Sequence, residues 1–317
     1  MKYLKTYREL NESLRDKMTP IDPQVFDELF MSKDTYQKAL LAFGKDVDKE
    51  FMPTEEEIVR DTNPLQRYKL VSLNILDKKY DPTKDEVLDY INKNIDTIDK
   101  NLLIQFIFEL NLDFELLPRN KDGWCVYDGE EGVVTCSNHG LIELPDKLEI
   151  NGEFYCEENK LTKLPPNLII NGHLYCSYNE LTELPETLVV TESILCQYNK
   201  LTHLPKSLKL SSGLYCDNNN ITEIPGNYNN LDYINCDYND IFIIADGLTV
   251  NYDFHCNSNK LKRLPKGLKV GGELDITGNN ITELPDDLVV DGILYIDSNE
   301  DTKKMEIPKG VKEINYS

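Results

Sequence analysis

At 317 residues the chain is longer than one hydrophobic core usually serves, and 40% hydrophobic residues suffice to bury more than one. No apolar run approaches the ~20 residues of a membrane span, and the charge-rich start MKYLKTYRELNESLRDKM lacks a secretory apolar stretch, so a cytoplasmic location is expected. A net charge of −22 repels phosphate backbones and anionic lipid; the expectation is no nucleic acid, no membrane, and a protein partner with a basic surface.

Residues 1–120 predict an all-helical N-terminal domain. Leu4, Tyr7, Leu10 and Leu14 fall on one stripe. Asp22-Pro23 opens a second helix, and Ser32 opens a third that Gly44 stops. Thr54 with Glu57 has capping-box spacing, while Asn63-Pro64 and Asp81-Pro82 mark two further starts. The last segment, NLLIQFIFELNL, is apolar enough to be buried against whatever follows.

From residue 121 to 317 the chain repeats with a period of 20, in eight full copies over 141–300 flanked by atypical caps at 121–140 and 301–317. The consensus is LTxLPxxLxVxxxLYCxxNx. Eight asparagines, Asn159, Asn179, Asn199, Asn219, Asn239, Asn259, Asn279 and Asn299, share one phase, where an amide can donate to and accept from the backbone of a tight bend. Leu161, Leu164, Leu168, Ile170, Leu174 and Cys176, with their equivalents, predict inward columns that only neighbouring coils can cover. Pro165 and its equivalents suit an extended return arm. His139 takes the asparagine slot of the first coil, and beyond residue 300 the pattern slips by three, with Ile307 and Val311 resuming the columns. Tyr228, Asn230 and Ala245 depart from consensus and predict a bend or looser coil near 226–247.

Seven cysteines, from Cys136 to Cys256, recur at this period, and Ile276 and Ile296 continue the column. A metal or disulfide site would not accept isoleucine, so the thiols read as core and no metal or cofactor is expected. Cys125 lies off the ladder; with His139 it is a conceivable nucleophile and base, but no third orienting group is evident and no catalytic residue is expected.

Alternation sends positions 153, 155 and 157 and their equivalents outward. One outward column contains Tyr155, Tyr175, Tyr215, His255, Asp275 and Tyr295, with His173 and Tyr233 on one side of it and Asp217 and Asp237 on the other. Tyr178, Tyr198 and Tyr238 sit just beyond. Rigid aromatic area with acidic flanks is the composition of a protein-binding face, although stacked tyrosines also favour strand pairing by themselves.

The motif LxxNxLTxLP resembles the short bacterial leucine-rich repeat of type III effectors, and LPKGLKVGGELDITGNNITELP is similar to LPxGLxVxGxLxL arrays of bacterial and phage proteins. The resemblance implies an α+β chain: a helical domain followed by a leucine-rich-repeat solenoid with a parallel β-sheet on its concave face. It implies a phage or bacterial setting with a host or virion partner, whereas the outward tyrosine and acid columns predict the non-enzymatic interaction module, expected as a monomer. MKYLKTYRELNE is also similar to capsid-targeting peptides of T-even-like phages, with Leu10, Asn11 and Glu12 as a cleavage site; an amphipathic first helix of the helical domain is the preferred reading. A virion structural component is an alternative reading. An enzyme would have to reside in residues 1–120, which hold neither Cys nor His.

Overall fold

The computed structural model describes residues 56, 59–60, 62–72, 76–128 and 132–316. The features read at residues 4–14, Asp22-Pro23, Ser32 to Gly44 and Thr54 with Glu57, including the cleavage site at Leu10 to Glu12, lie outside the described residues. Contacts divide the chain into two compact units, the second running from Leu103 to Ser317. Among the described residues, no helix is long and apolar enough to cross a membrane.

In the first unit, α1 (Pro64–Ser72) starts where Asn63 and Gln66 exchange side-chain and backbone hydrogen bonds, both at 2.9 Å. Helix α2 (Lys84–Asn94) is capped two residues later than the Asp81-Pro82 signal: Thr83 Oγ1 accepts from Glu86 N, and Glu86 Oε2 accepts from Thr83 N. Arg67 on α1 pairs with Glu86 on α2 at 3.3 Å. The last helix, α3 (Lys100–Glu109), crosses into the second unit and buries Leu103, Ile104, Phe106, Ile107 and Phe108. Phe108 meets Phe154 of the repeats edge-on, ring centroids 5.8 Å apart, so the expected burial of this helix against an early coil is observed.

The repeats form a parallel β-solenoid. Each residue of one coil pairs with the residue 20 positions on, as in Phe154 with Leu174 and Ile234 with Phe254. Residues such as Phe154–Tyr155, Leu174–Tyr175 and Ile194–Leu195 form the main run of strands, which continues to Gly310–Tyr316. A second short run, absent from the sequence expectation, precedes it in each early coil: Cys125–Tyr127, Leu148–Ile150, Leu168–Ile170 and Val189–Val190. Gly152 stands at the bend between the two runs, where a β-carbon would lie 1.9 Å from the Gly132 carbonyl oxygen. Only glycine admits that approach of neighbouring coils.

The columns are dry. Leu161, Leu164, Leu168, Ile170, Leu174 and Cys176 are all at most 2% exposed, and the same positions stay buried in the other full coils apart from the half-buried Leu210 and the exposed Asn230. All seven ladder cysteines are buried thiols, and burial raises Cys136, Cys156 and Cys176 well above the ordinary thiol range. Cys125 pairs with Leu148 and fills the leucine column. It joins the core because the first coil is three residues longer between its two strands: Cys125 is offset by 23 from Leu148, Val133 by 20 from Glu153.

Asparagine closes each bend. Asn179 Nδ2 donates to the carbonyls of Cys156, Cys176 and Ser177, and its Oδ1 accepts from Leu161 N at 3.0 Å. The same set recurs from Asn159 to Asn279. Asn299 departs: it is exposed, and its Oδ1 accepts from Asp301 N and Thr302 N in a local turn. In the strand beyond it, Val290 pairs with Val311 at an offset of 21 and Leu294 with Ile314 at 20, so one irregularity near Asp291 and Gly292 restores the period.

The irregular fifth coil has a local cause. Tyr228 enters the leucine column in a short 3₁₀ turn, fully buried, with its hydroxyl donating to the Pro205 carbonyl at 2.9 Å. Asn230 adopts φ +63° and Leu231, one position late, takes the valine column and bridges to Val250. The second strand run lapses here between Val190 and Thr249, and Glu223–Ile224 pairs with Ile243–Ile244 on the return arm instead.

Candidate functional site

Along most strands burial alternates as the sequence pattern predicts, with Ser177, Ser193 and Gly213 buried at outward positions. Phe154 and Cys156 face inward, while Glu153, Tyr155 and Glu157 are half-buried on the outer side. The outer side begins with a planar stack of Tyr155 on Tyr175, centroids 4.1 Å and 7° apart. Burial and a hydrogen bond to Glu153 push the Tyr155 hydroxyl upward, so it stays protonated. His173 Nε2 lies 2.8 Å from Glu192 of the next coil, and its ring tilts against Tyr175.

Further along, Tyr215 is half-buried and its ring folds over Gly213, where an added β-carbon would stand 2.7 Å from the ring edge. Burial, then Tyr233 and the charges of Asp232 and Asp253, raises its hydroxyl. Tyr233 stacks on Tyr252 at 5.3 Å, a partner that the outward columns did not include. Asp237 Oδ1 accepts from Asn257 N at 2.7 Å, yet burial dominates and lifts its carboxyl to about 6. His255 stands on the strand beside Asp275, whose Oδ1 accepts from the backbone and hydroxyl of Thr277. Asp217 accepts from the Asn218 amide at 2.8 Å, and Tyr295 reaches Glu273 at 3.5 Å. These are separate local contacts along one surface. Among the described residues, no three His, Cys, Asp or Glu side chains converge as a cation site.

Two features escaped the sequence reading. First, charge is sorted by face. The eight strand segments at 151–158 and every 20 residues to 291–298 contain twelve acids (Glu153, Glu157, Glu158, Glu192, Asp217, Asp232, Asp237, Asp253, Glu273, Asp275, Asp291, Asp297) and no Lys or Arg. The seven intervening arms, from 159–170 to 279–290, carry nine acids and ten Lys or Arg. Counting charge coil by coil, instead of over the whole half, reveals this.

Second, the residue before His139 and before each ladder asparagine from Asn159 to Asn279 is left-handed, whereas Ser298, before the exposed Asn299, is not. The slot holds Asn138, Glu158, Tyr178, Tyr198, Asn218, Tyr238, Ser258 and Gly278, with φ between +52° and +67°. Its backbone is fixed from both sides: in the Tyr178 coil, Tyr178 N donates to the Gln197 carbonyl and the Asn179 amide holds the Ser177 carbonyl. A left-handed residue other than glycine costs roughly 1–2 kcal/mol. Tyr178, Tyr198 and Tyr238 are nevertheless 53, 46 and 60% exposed, and Tyr178 stacks on Tyr198 at 4.5 Å and 7°.

Twenty-residue coils, parallel strands in each, dry leucine columns and an asparagine closing each bend from Asn159 to Asn279 define one architecture. The chain carries a leucine-rich-repeat solenoid. No family model and no curated protein matches it. Solved structures do. The leucine-rich-repeat domain of a Shigella effector is 22% identical over 48% of this chain and 70% of its own, with TM-score 0.37. YopM from Yersinia enterocolitica WA-314 is 21% identical over 56% of this chain and 53% of its own, with TM-score 0.28, so this chain spans about half of that protein. YopM from Yersinia pestis, a leucine-rich effector, is 18% identical over 74% of this chain and 77% of its own, with TM-score 0.35. The leucine-rich-repeat assignment rests on the coil geometry itself.

Proposed function

We propose that this leucine-rich-repeat chain is a non-enzymatic interaction module, and that the outer strand strip, on the concave side of the solenoid, takes the basic surface of a protein partner. One observation carries the reading: the strip holds twelve acids and no Lys or Arg, while the return arms of the same coils are balanced. Folding does not require that division, because both faces are outside the columns. A single-sign strip steers an oppositely charged partner, and half-exposed tyrosines provide rigid contact area once it arrives. A bacterial or phage protein that acts as a monomer in the cytoplasm on a host or virion protein fits these features.

Carboxyl footprinting with a carbodiimide and an amine tests the face. With a saturating nona-arginine peptide, Glu157, Asp217 and Asp237 should lose reactivity, and Glu183 and Asp287 on the arms should keep theirs. Equal protection of both faces, or protection confined to the arms, would refute the assignment. Replacing Tyr175 and Tyr215 by Ala should weaken binding without unfolding the chain.

A further inference from the structure

The left-handed slot is filled eight times by the same fold, which makes the repeats their own control. Every filler faces the same backbone demand, and Asn138, Asn218 and Gly278 meet it with the residue types that tolerate it best. Tyrosine is a poor choice for that backbone. Nor does the core ask for it, since all three slot tyrosines are about half exposed or more. What the rings offer is outward aromatic surface on an acidic strip. Tyr178 and Tyr198 present a planar pair; desolvation, then Tyr198, and after them the Asp217 and Glu158 charges raise the Tyr178 hydroxyl. Tyr238 follows Asp237 in the next tyrosine-bearing coil. Aromatic faces beside carboxylates attract a guanidinium, which stacks flat on the ring while its N–H groups reach the oxygens.

We propose that Tyr178, Tyr198 and Tyr238 are retained in a slot that penalises them because their rings contact arginine side chains of the basic partner. This deepens, and rests on, the reading of the strand strip as the binding face. It predicts opposite signs for stability and binding at the same residues. If the rings served only to brace each other, both would fall together.

The test uses the full chain and a nona-arginine peptide, with affinity by fluorescence anisotropy and stability by thermal denaturation. The triple variant Tyr178→Asn, Tyr198→Asn, Tyr238→Asn should melt about 2 °C higher or more and bind at least tenfold more weakly. Asn218→Tyr should melt lower and bind more tightly. A triple variant that melts below the parent chain, or that binds within twofold of it, would overturn the inference and leave the strip reading standing. Failure of the parent chain to bind the peptide would overturn both.

Discussion

The strand strip and the return arms are made by the same coils, covered by the same columns and equally free of the core, yet they differ in every surface property. The strip is acidic, without Lys or Arg, and carries the tyrosine stacks; the arms mix both charges, and Lys200 with Glu180 and Lys260 with Asp240 form ion pairs between neighbouring coils. Such exposed pairs contribute little stability. A repeat fold constrains what points inward, so a systematic difference between its two outward faces reports what each face meets.

Four substitutions would break or sharpen that contrast. The largest effect is expected inside the bend that joins strip to arm. Asn179→Ala strands the buried Leu161 amide and takes one of two donors from each of the Cys156, Cys176 and Ser177 carbonyls, on the order of 3 kcal/mol, whereas Asn299→Ala, exposed in a local turn, should cost under about 1 kcal/mol. Chemical denaturation of both variants distinguishes them; equal losses would mean the ladder does not hold the bends. Next, Tyr228→Phe removes the closer of two donors to the Pro205 carbonyl, leaving the Asn227 amide at 3.3 Å, and should cost roughly 1 kcal/mol; no loss would mean that the hydroxyl does not hold the irregular coil.

Asp237 gives the smallest and most specific effect. Burial raises its folded pKa from 3.8 to about 6, so folding favours the protonated acid and the charged form costs stability. That cost is complete above about pH 6 and vanishes as pH falls below the ordinary 3.8. Asp237→Asn should therefore stabilise the chain at pH 7 by about 1 kcal/mol, after allowing for solvent screening, and change nothing at pH 3.5. Thermal melts at the two pH values read it. The strip thus tolerates a destabilising charge, as it tolerates left-handed tyrosines.

The inward half of the fold was legible because burial repeats with the sequence: the leucine, cysteine and asparagine phases each became a column or a ladder. Tyr228 and Leu231 were not, since a one-residue shift that rescues a column is decided by neighbouring coils. The sequence also marked the outward tyrosines, but Tyr178, Tyr198 and Tyr238 look like ordinary strand-end residues until their φ values show what the slot asks of them. Tyr252 was missed because its contact is with Tyr233 one coil away, off the alternation that defined the columns.

Charge reversal of equal size on the two faces tests the central claim most directly. Asp217→Lys with Asp237→Lys alters the strip; Glu183→Lys with Asp287→Lys alters the arms by the same four charges. Affinity for nona-arginine at physiological salt should fall at least tenfold for the first pair and stay within about twofold for the second. Matching losses would show that net charge alone, and not the strand face, does the binding.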